Sequence, residues 1–257
     1  MPVSAGQVLP YRDYGGNGPH IVALHGHFGS SASFGALAAA LDEKTARLTA
    51  PDQRGHGFAP RGSDASVESY LALLEAFVEH HISAPVTLFG HSMGGTHAML
   101  LAERRPDLVG ALVVEDQPMV VGSTVLDVTA WPRRWPSFLA LAEDLRGRGI
   151  DDPSYFIRDA LRFADGWGLG FDHDDMVESQ RRLVGDYSRS WQAIQVPTLL
   201  IRGAESFILD GDMAAEMITM QPKAVLREFD GCGHWVHDDD PAGVAGAVRE
   251  FIANAIR

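Results

Sequence analysis

The chain has 257 residues, 46% of them apolar and 21% charged, enough for one compact domain with a sizeable core and a small inserted subdomain. Its formal net charge of −13 repels phosphate backbones and anionic lipid, which argues against nucleic-acid and membrane partners and for a small-molecule substrate. A single cysteine, Cys232, cannot form an internal disulfide, and Met1 to Tyr14 lack a basic stretch followed by an apolar one, so a cytoplasmic location is expected; monomer and homodimer both stay open.

In chain order, His20 to Leu24 and Arg47 to Ala50 read as strands, and Val67 to His81 as an amphipathic helix. Val86 to Phe89 reads as a strand bounded by Pro85 and Gly90. Met93 to Arg105 follows as a helix stopped by Pro106, and Ala111 to Val114 as a strand. From about 118 to 195 this alternation gives way to short helical segments broken by Pro132, Pro136, Gly147, Gly149, Pro153, Gly166, Gly168 and Gly170. It resumes with a strand at Thr198 to Arg202, a helix around Asp212 to Met220, a strand at Val225 to Phe229 and a closing helix from Pro241 to Ile256. Strands alternating with helices predict an α/β fold, a doubly wound, mostly parallel sheet. Its core is expected over 1–117 and 196–257, with 118–195 as a helical lid. The lid holds Trp131, Trp135, Trp167 and Trp191 with Phe138, Phe156, Phe163 and Phe171. Such rings either pack the lid onto the core or line an apolar acyl pocket. Phe28, Trp131, Trp135, Trp167 and Trp235 are the substrate-binding candidates.

The chemistry is concentrated in Gly90-His91-Ser92-Met93-Gly94, a G-x-S-x-G pentapeptide between a predicted strand and a predicted helix. Glycines permit the sharp turn, which holds the serine hydroxyl out at the sheet edge, and the Met93 amide at the helix start is free to bind an oxyanion. A second such amide is expected from His27, in the turn after the first clear strand. Serine needs a base near neutral pH. Of eleven histidines only His234, with its fallback His237, follows the last predicted strand, in a glycine-containing loop. His80, His81, His91 and His173 read as exposed or satisfied structural residues, and Cys232 as packing. No histidine pair shows metal-ligand spacing with suitable carboxylates, so neither metal nor cofactor is expected.

Leu24-His25-Gly26, Asp52-Gln53-Arg54-Gly55-His56-Gly57, Gly90-His91-Ser92-Met93-Gly94-Gly95 and Gly233-His234-Trp235-Val236-His237 together resemble the signature segments of α/β-hydrolases. The closest resemblance is to small bacterial and mitochondrial serine esterases of acyl esters and thioesters. It implies an α/β-hydrolase fold and a Ser–His–acid triad, with a turn-building role for Asp52 to Gly57. The acid departs from the majority pattern, whose position three residues beyond Gly203 is here Ser206. The esterase subgroup carries its acid one strand earlier, in a segment similar to Val113-Val114-Glu115-Asp116-Gln117-Pro118, which favours Asp116 over Glu205, Asp210 and Glu115. Expected is hydrolysis of a carboxylic ester or thioester through an acyl-enzyme. The same constellation could instead open lactones, cleave carbon–carbon bonds, or serve cofactor-free oxygenation or lyase chemistry, and a non-catalytic binding protein could retain it.

Overall fold

Short apolar runs bounded by proline or glycine become the strands of one sheet in the computed structural model, which describes residues 9–44, 46–62, 64–83 and 85–255. Its strands are β1 (Tyr11–Gly15), β2 (His20–Leu24), β3 (Arg47–Pro51), β4 (Val86–His91), β5 (Val109–Glu115), and, after a long excursion, Thr198–Gly203 and Ala224–Phe229. Within that excursion lie two ribbons, β6 (Val120–Val121) with β9 (Gly185–Asp186) and β7 (Leu161–Phe163) with β8 (Gly166–Gly168), so the last two sheet strands are β10 and β11. The order across the sheet is β1-β3-β2-β4-β5-β10-β11. β1 runs antiparallel to β3 and every other pairing is parallel.

Alternation along each strand sends neighbouring side chains to two separate cores. Val22 and Leu24 of β2, Leu88 of β4, Leu112 and Val114 of β5 and Leu200 of β10 join one cluster. It is covered by α2 (Val67–His81), α3 (Met93–Arg104), α7 (Ser188–Ala193) and α8 (Gly211–Met220) through Leu71, Phe77, Met99, Trp191 and Met217. Ile21, Ala23, Phe89, Val113, Leu199 and Ile201 point the other way. They pack under α1 (Gly35–Ala40) and α10 (Pro241–Ala255) through Leu37, Val244, Val248 and Ile252. Each such large side chain contributes roughly 1.5–3 kcal/mol by leaving water, so burial on both faces is what holds the parallel sheet.

The excursion between β5 and β10 carries α4 (Phe138–Gly147), α5 (Ser154–Ile157) and α6 (His173–Leu183) with its own apolar cluster around Trp131, Trp135, Leu141, Phe156, Phe171 and Met176. It is not wholly helical as expected, because β6 pairs with β9 and β7 with β8. Other differences are small. The strand expected at Arg47 to Ala50 extends to Pro51, that at Ala111 to Val114 spans Val109–Glu115, and β1 and α1 were not foreseen. Residues 1–8 of the expected core and Ile256 of the closing helix lie outside the described residues. No described helix is long and apolar enough to cross a membrane.

Candidate active site

Parallel strands in an open sheet present their carboxyl ends together, and the loops leaving them build the site. Among the described residues, three non-glycine residues adopt positive φ: Phe28 at 67°, Ser92 at 53° and Asp116 at 49°. All three follow the carboxyl ends of the adjacent strands β2, β4 and β5. Each such conformation costs about 1–3 kcal/mol, and strain of this kind collects at functional sites.

Ser92 connects β4 directly to α3. Its backbone, at φ 53° and ψ −125°, turns sharply while its amide donates to the Glu115 carbonyl at 3.0 Å. The turn requires glycine on both sides: a Cβ on Gly90 would collide with the Gly94 carbonyl, and one on Gly94 with the Leu24 carbonyl. Met93 opens α3, and no group among the described residues takes up its amide or that of His27. The His27 ring contacts Ser179 Oγ of α6 at 3.1 Å, and burial pushes its pKa down to about 3, so the imidazole is neutral at pH 7.

Asp116 follows β5, where its amide continues the ladder to the Ile201 carbonyl at 2.8 Å. Its fully buried carboxylate faces His234 Nδ1 at 3.3 Å through Oδ1. Oδ1 also accepts from Ser206 Oγ at 2.5 Å, and Oδ2 from the Gly203 amide at 3.2 Å. His234 lies in the loop after β11. That loop closes on β10 because Gly203 has no side chain; a Cβ there would meet the carbonyls of Cys232 and Gly233. The expected serine, histidine and aspartate thus lie at one sheet edge.

The other candidates separate. Glu205 is exposed, and Asp210 caps α8 by accepting from the Met213 amide at 2.8 Å. Phe28 contacts Phe156 and Phe171, each at 5.2 Å between ring centroids, and Trp235 lies 5.1 Å from Tyr155. Trp131 meets Phe156 at 6.2 Å, which continues this aromatic wall. Trp135 and Trp167 are held within the excursion instead, bridged backbone to backbone, with Trp135 Nε1 donating to Asp144. Phe207, which the sequence did not single out, is 73% exposed and lies 5.4 Å from the His234 ring.

His91 and His173 were expected to be exposed or satisfied. Both are buried, with Nδ1 of His91 and Nε2 of His173 lacking partners among the described residues. His91 is packed against the nucleophile turn, and burial with His234 and His237 nearby drives its pKa well below the ordinary value. His237 is fully buried against Glu115. His91, Glu115 and His237 form the one described trio whose ligand atoms lie within 4.8 Å of one another. Glu115 and His237 Nδ1 are already bonded to each other, and His91 Nε2 to the His234 carbonyl.

The chain belongs to the alpha/beta hydrolase family, whose model matches residues 21–247. It is 30% identical over 252 residues to the mouse (Mus musculus) sn-1-specific diacylglycerol lipase ABHD11, covering 91% of this chain and 81% of the relative. It is also 30% identical over 259 residues to lipase LipV of Mycobacterium tuberculosis, covering 95% and 97%. The crystal structure of E-2-(acetamidomethylene)succinate hydrolase superposes with a TM-score of 0.82 at 23% identity, covering 98% of each chain, and so shares the fold. The chain is a hydrolase of this family.

Proposed function

We propose that the chain is a serine hydrolase of carboxylic esters or thioesters of small apolar acyl groups, acting through an acyl-enzyme. Ser92 Oγ attacks the acyl carbon as His234 Nε2 takes its proton. The developing oxyanion is held by the Met93 and His27 amides, where losing one donor typically costs about 10²- to 10³-fold in rate. Collapse expels the alcohol or thiol with the proton from His234, and a water then repeats the sequence to release the acid. Asp116 orients the imidazole and stabilises its charged form. Within segment 118–195 the part that carries α4, α5 and α6 serves as a lid, whereas α7 packs on the sheet through Trp191; the wall of Phe28, Trp131, Phe156, Phe171 and Trp235 receives the acyl chain.

The observation that carries this reading is the buried Asp116 carboxylate aimed at His234 Nδ1 while the neighbouring strand ends in the strained Ser92 turn. The test is hydrolysis of p-nitrophenyl esters from acetyl to octanoyl by wild type and Ser92→Ala, both checked for folding. Turnover of short acyl esters by wild type, with loss in Ser92→Ala, supports it. A wild type inert across the series rejects simple ester hydrolysis and favours lactone, carbon–carbon or lyase chemistry.

A further inference from the structure

Beside the Asp116–His234 contact lies a second acid–histidine pair to which the hydrolytic mechanism gives no part. The Glu115 carboxylate receives the His237 ring at Nδ1, 2.8 and 3.0 Å from its two oxygens, and the His237 backbone amide at 2.8 Å. Both residues are fully buried. Glu115 immediately precedes Asp116 at the end of β5. His237 follows His234 by three residues, on the short helix α9 (Val236–Asp239). Two adjacent acids of one strand end therefore reach two histidines of one loop. His91, next to Ser92, closes the group: its Nε2 donates to the His234 carbonyl at 3.0 Å, and its ring lies 4.6 Å from His234 and 4.9 Å from His237.

A carboxylate this deep persists in charged form only with a charged, well-bonded partner. Burial alone would drive His237 neutral, but the Glu115 charge and hydrogen bond overcome it and raise its pKa. From its own helix His237 faces Asp238, 3.9 Å from Nε2 and itself bridged to Arg158 at 2.7 Å; from elsewhere it faces the His91 ring and the Phe34 ring at 5.2 Å. The pair is thus a fixed, directional tie between strand end and loop.

We propose that Glu115 and His237 are positioning residues that hold His234 in reach of Asp116 and, through His91, in register with Ser92. The proposal rests on the hydrolytic reading of Ser92, His234 and Asp116. The geometry shows why such a tie matters. At 3.3 Å the His234–Asp116 contact already stands at the long end of a useful hydrogen bond, so a further shift of about half an ångström abolishes it. A buried pair that merely stabilised the fold could sit anywhere in the core; this one anchors the triad's two loop-borne partners at both ends.

The test compares wild type, Glu115→Gln, His237→Ala and His237→Asn on a p-nitrophenyl ester, well below each melting temperature, with Leu71→Ala as a destabilised control in the cluster on the far face of the sheet. In Glu115→Gln and His237→Ala, kcat falls by about 10- to 10²-fold with little change in KM, the scale of a small misplacement of catalytic groups. His237→Asn, which keeps a donor toward Glu115, recovers part of the loss, and Leu71→Ala lowers the melting temperature with kcat unchanged. Wild-type kcat in Glu115→Gln and His237→Ala, with only the melting temperature reduced, overturns the proposal. Imidazole ¹⁵N NMR supplies a readout independent of turnover. In wild type His237 stays protonated above the ordinary histidine range, and the His234 Nδ1–H signal weakens in Glu115→Gln. If variants do not fold, a His237 that titrates as a free imidazole overturns the pairing. If wild type is inert on esters, the hydrolytic reading fails while the His234 signal still decides the positioning.

Discussion

Replacing Asp116 with asparagine keeps the shape of the side chain and removes both its charge and one acceptor. Three donors converge on its two oxygens: Ser206 Oγ and His234 Nδ1 on Oδ1, and the Gly203 amide on Oδ2. Ser206 Oγ accepts from the Ile208 and Leu209 amides, so its own proton is committed to Asp116. An asparagine with its oxygen in the Oδ1 position turns its NH2 on the Gly203 N–H. The flipped amide turns it on Ser206 and His234, and makes His234 Nδ1 an acceptor, the wrong tautomer to take the Ser92 proton. Loss of the charge and the tautomer predicts a fall in kcat of about 10³- to 10⁴-fold, by analogy with other serine triads. The mispaired buried amide costs about 1–3 kcal/mol of stability as well, so the assay belongs well below the variant's melting temperature. Steady-state hydrolysis of a p-nitrophenyl ester measures it, with Glu205→Gln and Asp210→Asn alongside. The exposed Glu205 change leaves kcat unaltered, and the Asp210 change touches neither kcat nor, to any large extent, stability, because an asparagine oxygen still accepts from the Met213 amide and caps α8 about as well as aspartate. Asp116→Asn within tenfold of wild type, or an equal loss in Glu205→Gln, refutes the assignment.

Three further outcomes follow from the same geometry. Gly203→Ala places a Cβ against the carbonyls of Cys232 and Gly233 and pushes the His234 loop outward; kcat falls on the order of 10²-fold and recovery is absent at any substrate concentration. Stability measured by denaturant titration falls on acidification, because His97 has its pKa held down to about 3 by burial, against 6.5 in the unfolded chain. The folded state then binds fewer protons, so this contribution is complete above pH 6.5 and at pH 5 has lost about 2 kcal/mol from His97 alone. His237 has the opposite sign: its raised pKa adds stability below pH 6.5 that disappears as pH climbs through its folded value, and a titration curve flat from pH 5 to 8 contradicts both. Phe207→Ala removes a largely exposed ring beside His234; KM for longer acyl esters rises while the melting temperature stays within the range of a surface change, and unchanged KM values remove Phe207 from the substrate path.

Much of this arrangement was legible in the sequence for physical reasons that stop at identifiable points. The core strands read clearly because burial on both faces leaves short apolar runs, such as Val86-Thr87-Leu88-Phe89, cut by Pro85 and Gly90. β1, whose residues Tyr11-Arg12-Asp13-Tyr14-Gly15 are mostly exposed on an antiparallel edge, carries no such signal. The three-residue strands β7 and β8 are too short for any period to show. The placement of Asp116 beside His234 follows from a motif departure, the serine at position 206. That serine, read only as an inadequate acid, in fact donates to Asp116. Glu115 and His237 were not read as a pair because they are 122 positions apart, and only strand order and register bring them together. His91, read as exposed or satisfied, is buried with Nε2 bonded to the His234 carbonyl, because the turn that presents the serine buries the residue before it.

Whether Ser92 is the nucleophile is decided by intact-mass and peptide mass spectrometry after brief exposure to an activated ester and to a fluorophosphonate. One covalent adduct per chain is expected, on the peptide containing Ser92, absent in Ser92→Ala and formed far more slowly in Asp116→Asn. An adduct at another residue, or ester turnover that survives Ser92→Ala, contradicts it.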